Sequence, residues 1–352
     1  IPWLSVKDFN NDKRYVYSTE KHISQSGFEN SPTKMLHKDD IIISARGTVG
    51  EIAMIPFDMA FNQSCYGIRA SRGIDKPFLY YLLKNCISQL KRMTHGSVFD
   101  TITRDTFANI EVDIPDAETQ KRISSVLADI DNKIEVNDAI NDNLQQQAAA
   151  LFSSLYDRTN TEVRFTDLIQ ILGGGTPKTG ENTYWNGNIA FFTPKDVGTP
   201  YTLITEKTIT EEGLSHCNSR LYPVNTVFVT ARGTVGKVGM SGVPMAMNQS
   251  CYALVGKETH QLLVYFYTLK VVDRLKHKAS GAVFDAITTK DFESEQIMKL
   301  SDDDARAFLC IAEPMFQKVL NNCIENLRLS TLRDSLLPKL MSGEIDVSAV
   351  QL

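Results

Sequence analysis

The sequence lacks the features that would mark a membrane protein, a secreted protein or a metalloprotein. No apolar run approaches the roughly 18 residues of a membrane-spanning helix, and no basic segment followed by an apolar one marks a secretory signal. Its 6 cysteines form no Cys-x-x-Cys pair and have no histidine at zinc-binding spacing. We therefore predict a cytoplasmic protein with reduced thiols, no metal site and no membrane contact.

Catalytic motifs are also missing. The Asn/Asp-Pro-Pro-aromatic tetrapeptide of a methyltransferase is absent, and the 6 histidines are scattered without an HExxH pattern. Residues 233–237 (Gly-Thr-Val-Gly-Lys) resemble the end of a P-loop but lack its GxxxxGK[ST] spacing. Residues 173–175, three glycines before a Thr-Pro pair, indicate a loop rather than a cofactor cradle. We predict no catalytic residue and no cofactor in this chain.

Acidic charge is unevenly distributed along the 352 residues. The net charge of −5 argues at first against a nucleic-acid partner. However, residues 1–115 and 159–300 each carry 14 Lys and Arg against 13 Asp and Glu. Residues 116–158 carry 4 against 8, and residues 301–352 carry 5 against 8. The first two segments are therefore nearly neutral, which permits a local basic groove on each.

Those two segments are copies of each other. Residues 45–50 (Ala-Arg-Gly-Thr-Val-Gly) recur 186 residues later, and Asn-Gln-Ser-Cys-Tyr at 62–66 recurs at the same offset. Lys7-Asp8 matches Lys195-Asp196 at an offset of 188, and Val-Phe-Asp at 98–100 recurs after 185. A repeat this long is outside the range of solenoids and propellers, so each copy is expected to be a domain.

Each copy has the pattern of an α+β module. Short β-rich runs at 40–44 and 52–55 flank the glycine-containing turn, and an apolar helical pattern covers 76–90. The second copy has strands at 226–230 and 238–240 and a helical pattern at 261–275.

Heptad patterns follow each copy and predict two long helices that form an antiparallel coiled coil with pseudo-two-fold symmetry. At about 1.5 Å per residue each helix would be on the order of 55 Å long and would act as a spacer. Pro314 predicts a kink or a late start of the second helix, and Arg333 is its one charged core position. The core positions of the first helix are Ile123, Leu127, Ile130, Ile134, Asn137, Asn141, Leu144, Ala148, Leu151 and Leu155.

Two asparagines occupy matching core positions in each helix. Antiparallel pairing would bring Asn137 to Asn326 and Asn141 to Asn322. Such a buried polar layer costs stability and sets the register of the pair. The alternative is that these amides lie where the seam is hydrated.

These patterns divide the chain into four segments: a first module at 1–115, a central helix at 116–158, a second module at 159–300 and a C-terminal helix at 301–345. The second module has a lead-in, residues 163–187, that the first lacks. We therefore expect about thirty residues to be missing before Ile1, by comparison of the two copies.

The motifs Arg-Gly-Thr-Val-Gly and Asn-Gln-Ser-Cys-Tyr, with Gly-Gly-Gly-Thr-Pro-Lys-Thr and Tyr-Trp-Asn-Gly in the lead-in, resemble the specificity (S) subunit of a type I restriction-modification system. The resemblance covers essentially the whole chain. It also includes the Ile114-Pro115 boundary and residues 333–345 at the C-terminal end. The second module-to-helix junction, residues 299–302, lacks the corresponding Pro and Gln and is less typical.

The resemblance implies a non-catalytic subunit with two target recognition domains, each of which reads one half of a bipartite double-stranded DNA site. The helices would set the spacer and dock two modification subunits, which bring S-adenosylmethionine. Two restriction subunits would join for cleavage. A rival interpretation is a scaffold or inhibitor that occupies the modification subunits without binding DNA, and a second is an enzyme of unrecognised family.

The duplication also sorts candidate DNA-binding residues. Residues identical in both copies cannot read two different half-sites, so they are scaffold or phosphate contacts. Arg46 and Arg232 either reach phosphate or form structural hydrogen bonds. Asn62-Gln63 and Asn248-Gln249 either have a structural or backbone role, which we favour, or read adenine.

Base readout is expected where the copies diverge, at 10–38 against 198–221 and at 84–97 against 270–282. Any single lysine among the candidates has the alternative of being a solvated surface charge. The candidates are Lys13, Arg14, Tyr15, Lys34, Lys91, Arg92 and His95 in the first copy, and Lys178, Tyr201, Lys207, Arg220, Lys276, His277 and Lys278 in the second.

Overall fold

The computed structural model describes residues 1–9, 13–93, 101–198, 200–278 and 286–349, with only the backbone of 91–93, 104 and 349. The chain forms two compact units. The first comprises Ile1–Asn137 with Glu325–Leu352, and the second comprises Asp138–Ile324. Each unit therefore contains one module together with part of each long helix.

In its described residues, the first module contains two small sheets, three α-helices and a 3-10 helix at Val6–Asp8. Its strands are β1 (Pro2–Leu4), β2 (Lys21–His22), β3 (Met35–Leu36), β4 (Ile41–Ser44), β5 (Ile52–Met54), β6 (Met59–Phe61) and β7 (Cys65–Ile68). Its helices are α1 (Gln25–Glu29), α2 (Lys76–Met93) and α3 (Arg104–Ala108). The strand orders are β2-β1-β6-β3 and β5-β4-β7. The long helix α4 (Ala117–Tyr156) follows.

The second module repeats this arrangement with additional strands. Its strands are β8 (Glu162–Arg164), β9 (Ile169–Gly173), β10 (Trp185–Phe192), β11 (Tyr201–Thr202), β12 (Lys207–Ile209), β13 (Val227–Thr230), β14 (Val238–Ser241), β15 (Met245–Met247), β16 (Cys251–Gly256) and β17 (Gln296–Met298). Its α-helices are α5 (Phe165–Leu168), α6 (Glu211–Ser215), α7 (Gln261–Lys278) and α8 (Thr289–Glu293). The long helix α9 (Asp302–Met341) follows, and a 3-10 helix covers Val347–Ala349. The strand orders are β12-β10-β15, β11-β14-β13-β16-β9 and β17-β8.

The central strand of each module is a continuous apolar run because both of its faces are covered. Ile42 and Ile43 in β4 are completely buried, as are Val227 and Phe228 in β13. Both strands pair antiparallel with a neighbour on each side, β5 and β7 in one unit and β14 and β16 in the other. Strands of this kind lose the alternation of apolar and polar residues that a half-exposed strand shows.

These elements confirm the predicted fold class, which is α+β with two tandem modules and two long antiparallel helices. Helices α2 and α7 start where predicted and end three residues later, at Met93 and Lys278. The suggestion of a late start at Pro314 was wrong, because α9 begins at Asp302 and continues through the proline. The predicted four-segment division differs from the packing, because contacts group each module with part of each helix.

Asparagine pairs lie at the middle of both helices, in the combinations that the sequence predicts. In the first unit, Asn137 Nδ2 donates to Asn326 Oδ1 at 2.8 Å. In the second unit, Asn322 Nδ2 donates to Asn141 Oδ1 at 2.8 Å. Asn137 and Asn322 are fully buried. Their Oδ1 atoms have no hydrogen-bond partner within the described part of the chain, so each layer contains a polar atom that lowers stability.

The helix pair of the first unit also contains a buried ion pair. Arg333 Nη1 donates to Asp131 Oδ1 at 2.7 Å, and the Tyr81 hydroxyl of α2 donates to Asp131 Oδ2 at 2.6 Å. Asp131 and Arg333 are 3% and 7% exposed. Burial, and then the Asp131 carboxylate, raise the pKa of Tyr81, which keeps its hydroxyl a donor. Asp131 therefore explains why the seam of α9 contains a charged residue, Arg333. The sequence alone did not reveal this role of Asp131.

The second unit has aromatic and apolar residues at the corresponding positions. When the two copies are aligned with an offset of 185 residues, Phe316 corresponds to Asp131, Ala148 to Arg333 and Phe266 to Tyr81. The Phe266 ring lies 5.6 Å from that of Phe316 and 5.2 Å from that of Phe308, both edge-on. One module thus attaches to its helices through an aromatic cluster and the other through a hydrogen-bonded ion pair.

No helix in the described ranges is both long enough and apolar enough to span a bilayer.

We expect the double substitution Asn137→Leu and Asn326→Leu to raise the free energy of unfolding, by roughly 1–3 kcal/mol, because it removes a buried acceptor without a partner. The same change should loosen the register of the helix pair. Spin labels on exposed Asp129 and Ser335, in a Cys310→Ser background, would report this as a broader distance distribution. An unchanged, narrow distribution would show that the asparagines do not align the helices.

Replacing Arg333 by Ala should lower the free energy of unfolding by about 3–5 kcal/mol, because it leaves the Asp131 carboxylate buried without its cation. The matched control carries Asp131→Phe, Tyr81→Phe and Arg333→Ala, the residues of the second unit. It should recover at least half of that loss. Urea unfolding, with hydrogen exchange of α2 and α4, measures both. A triple variant as unstable as Arg333→Ala would contradict this account.

Candidate nucleic-acid interface

The repeated Ala-Arg-Gly-Thr-Val-Gly segment forms the same rigid turn in both units. In the first, the Ser44 hydroxyl accepts from Glu51 N at 2.8 Å and donates to the Thr48 carbonyl. In the second, the Thr230 hydroxyl accepts from Lys237 N at 2.9 Å and donates to the Thr234 carbonyl. The buried hydroxyl at the end of the strand therefore ties the turn to itself in each copy.

Glycines are required in this turn by its backbone. Gly47 and Gly50 both have φ of 82°, and Gly233 and Gly236 have φ of 83° and 76°. Residues that carry a side chain rarely adopt this left-handed backbone conformation, whereas glycine adopts it at little cost. This agrees with the interpretation of all four as turn residues.

The arginine of the turn projects away from this network in each unit. Arg46 and Arg232 are exposed. Across the residues that the structure describes, neither guanidinium forms a hydrogen bond or an ion pair. A structural hydrogen-bonding role for these arginines is therefore not observed among the described residues, and phosphate contact stays a prediction.

A repeated Lys-Asp pair, Lys7-Asp8 and Lys195-Asp196, lies beside the turn in each unit. Asp8 Oδ2 accepts from the backbone N of Ser5 at 2.7 Å, and Asp196 Oδ2 accepts from Thr193 N at 2.8 Å. The other oxygen of each carboxylate accepts at 2.7 Å from Glu20 N or Glu206 N. The aspartates thus fold the loop, and the adjacent Lys7 and Lys195 are exposed.

The asparagines of the second repeated motif hold a turn. Asn62 Oδ1 accepts from Ser64 N at 3.1 Å, and Asn248 Oδ1 accepts from Ser250 N at 3.0 Å. This supports the structural interpretation of both residues. Gln63 and Gln249 are exposed beside them, and the Gln249 amide oxygen accepts from the Thr176 hydroxyl.

The structure corrects the prediction that Tyr201 contacts DNA. Tyr201 is only 8% exposed, and its hydroxyl donates to Asn225 Oδ1 at 3.0 Å. Burial also raises its pKa. Tyr15 is its counterpart: both pair parallel with the strand after the turn, and the Tyr15 hydroxyl lies 3.5 Å from Asp39 Oδ1. Tyr15 and Tyr201 therefore occupy equivalent positions in the two modules, although the sequence places them in segments that have diverged.

Two further candidates are committed to internal contacts. Arg14 is half-buried, and its Nη2 donates to Asn132 Oδ1 of α4 at 2.5 Å. Lys278 Nζ lies 2.5 Å from Oε1 of Glu295, a carboxylate that is 2% exposed and also pairs with Arg274. These contacts give Arg14 and Lys278 a structural role, and DNA contact by either residue stays a prediction.

The remaining candidates fall into three groups. Lys34, Lys178, Lys207, Arg220, Lys276 and His277 are exposed, and Lys13 is half-buried. Lys207 lies over the Trp185 ring at 5.6 Å, and His277 pairs with exposed Asp273 at 3.6 Å. The predictions for His95 and for the side chains of Lys91 and Arg92 fall outside the described residues.

Nucleophilic and metal-binding groups are not gathered at this surface. Burial raises the pKa of the Cys65 and Cys251 thiols of the repeated motif to about 12, so both stay protonated at neutral pH. Among the described residues, no three His, Cys, Asp or Glu side chains are grouped so that they could hold a metal.

Lys7 and Lys195 were missed as candidates from the sequence. Lys-Asp recurs in both copies of the sequence, but its two residues have different positions in the fold. The aspartate turns inward to cap the loop, and the lysine is left on the surface.

Comparisons with known proteins agree with the resemblance seen in the motifs. A family model described as "Type I restriction modification DNA specificity domain" matches residues 1–146 and 158–299. The chain is 23% identical to the type I restriction enzyme MjaIX specificity subunit of Methanocaldococcus jannaschii, over 99% of this chain and 87% of that protein. It is 24% identical to the HindI specificity subunit of Haemophilus influenzae, over 76% and 77% respectively.

The fold also matches a solved structure. The crystal structure of the S subunit from M. genitalium aligns with a TM-score of 0.54 at 16% identity, covering 96% of this chain and 91% of that one. The family model matches each of the two modules separately and covers most of the chain. The chain therefore belongs to the family of type I restriction-modification DNA specificity subunits, which are non-catalytic.

Proposed function

We propose that each module of this specificity subunit binds one half of a bipartite double-stranded DNA target, and that the two long helices set the distance between the half-sites. The helices would also dock two modification subunits, which carry S-adenosylmethionine, and two restriction subunits would complete the complex. The observation that carries this proposal is the duplication of one hydrogen-bonded framework with different exposed side chains on each copy.

The framework supports the division of labour between holding DNA and reading it. The turn network, the Lys-Asp loop and the tyrosine that pairs with the strand after the turn recur in both units with partners at corresponding positions. Residues shared in this way give both modules the same shape. The sequence difference between two half-sites must then be read by exposed residues that differ between the copies.

The diverged segments, in which we predict base readout, still contain exposed side chains that differ in chemistry between the two modules. Lys34 corresponds to Arg220, because each follows a residue whose hydroxyl bonds a neighbouring strand. The Thr33 hydroxyl donates to the Phe61 carbonyl, and the Ser219 hydroxyl accepts from the Met247 backbone N. Both side chains are exposed. Lysine and arginine can both reach guanine, but only arginine has a planar fork. We place readout at these positions and at His277.

The helices are suited to binding protein rather than DNA. Their segments carry the acidic excess noted in the sequence, which disfavours contact with phosphate. Large apolar side chains are also exposed on them, including Val136 at 54% and Leu332 at 47% in the first unit. Ile311 is 49% exposed in the second unit. We propose these exposed apolar side chains as contacts for the modification subunits.

The test is DNA binding by the chain in complex with its modification subunits, using a target identified by methylome sequencing. Inserting about 5 base pairs between the half-sites turns one half-site by half a helical turn. Binding should then weaken toward the non-specific level, roughly 10³-fold below specific binding. Inserting about 10 base pairs tests whether the helices also fix the distance, and a duplex with one half-site scrambled tests each module separately.

Two outcomes would contradict the proposal. No specific retention of DNA at any salt concentration would favour a scaffold or inhibitor that occupies the modification subunits. Methyl transfer by the purified chain alone, with labelled S-adenosylmethionine, would identify an enzyme of another family.

A further inference from the structure

We propose that the cations repeated around the turn form a phosphate clamp that holds DNA irrespective of its base sequence. The clamp comprises Lys195, Arg232 and Lys276 in the second unit, with Lys7 and Arg46 at the corresponding positions in the first. This inference rests on the proposed function, because it assigns the contacts that position DNA rather than those that read it.

Three separate segments of the second unit bring these cations to one turn. A Cβ atom at Gly233 would lie 4.0 Å from Cβ of Pro194, the residue before Lys195. A Cβ atom at Gly236 would lie only 2.6 Å from Cε of Lys276. Gly236 therefore leaves the space in which the aliphatic chain of Lys276 packs, and Arg232 lies in the same turn. Val197, Gly236 and Lys276 line one concave surface.

The first unit repeats the part of this arrangement that the structure describes. A Cβ atom at Gly47 would lie 3.7 Å from Cγ1 of Val6, the residue before Lys7. Lys7 is thereby placed beside the turn that carries Arg46. An offset of 185 residues, which aligns α2 with α7, makes Lys91 the counterpart of Lys276. The same positive charge thus recurs at each position of the clamp in the sequence.

The clamp residues are available for a ligand. All five are exposed. Among the described residues, the charged groups of Lys7, Arg46, Arg232 and Lys276 form no ion pair. Lys195 lies 3.5 Å from Glu206, but both side chains are more than half exposed, at 79% and 57%. A surface pair of this kind contributes little stability, so Lys195 can exchange its partner at small cost.

Repetition and exposure together point to phosphate. An exposed charge that has no internal partner, or only a surface partner, contributes little to the stability of the fold, and an identical residue in both modules does not distinguish two half-sites. Phosphate is the part of DNA that is the same in every half-site. The hydrogen-bonded turn and the Asp-capped loop hold the clamp backbone in place, so little ordering is needed when DNA binds.

The test measures the salt dependence of binding to a cognate and a scrambled duplex by the complex with its modification subunits. Each of Lys195→Ala, Arg232→Ala and Lys276→Ala should reduce the slope of log K against log salt by about 0.9, the value for one lost phosphate contact. Affinity for both duplexes should fall by the same factor. Lys7→Ala and Arg46→Ala should have the same effect in the first unit.

Lys290→Ala is the matched control. Lys290 is exposed on α8 of the same unit, and its counterpart in α3 of the first unit is the acidic Asp105. Removing it changes the net charge equally and should leave the slope within the error of the wild type. Arg232→Lys, which keeps the charge, should retain most of the slope.

Each other outcome is decisive. Unchanged slopes in the clamp variants would overturn the clamp while leaving the proposed function intact. A changed preference between duplexes would show that these residues read bases, which also overturns it. A wild-type complex with no salt-dependent DNA binding would instead refute the proposed function itself.

Discussion

The antiparallel pairing of α4 with α9 is the constraint on which both modules depend. Neither module completes its core from its own segment of chain. Leu337 and Leu340 of α9 pack in the core of the first unit with Phe78 of α2. Phe152 of α4 and Phe308 of α9 pack in the core of the second. A shift in helix register would move side chains of the helix pair out of both cores.

The register of the helix pair is set by buried polar and charged groups that lower the stability of the fold when they are unpaired. The asparagine layers contain buried carbonyl oxygens without a described partner, and the Asp131–Arg333 pair requires both of its charges. A slipped register would place such groups against apolar side chains, at a cost of several kcal/mol for an uncompensated charge. The second unit instead has Phe316 and Ala148 at the equivalent positions, so only one half of the pseudo-symmetric helix pair carries this charge requirement.

Duplication separates the shape of the modules from their specificity. The turn glycines, the Lys-Asp loop and the pair Tyr15 and Tyr201 recur with equivalent contacts, so they belong to the shared shape. Positive φ at Asp39 and Asn225, 67° and 69°, shows that even the irregular backbone before the central strand is repeated. On this rigid framework, exposed side chains can change with little effect on the fold, which allows each module to acquire a different DNA preference.

The sequence alone determined the duplication, the α+β modules, the two helices and the asparagine partners, because repeats and heptads are local patterns in one dimension. It also placed the turn glycines, since a repeated glycine indicates a backbone that other residues do not adopt. Only the tertiary structure decided which polar residues remain free. Tyr201 looks like a surface residue in the sequence, but it is buried and its hydroxyl donates to Asn225, which is 24 residues away. Lys278 stays exposed, but its ammonium group donates to the buried carboxylate of Glu295, which is 17 residues away. Asp131 and Arg333 are separated by 202 residues. Burial depends on contacts between distant segments, which local sequence does not encode.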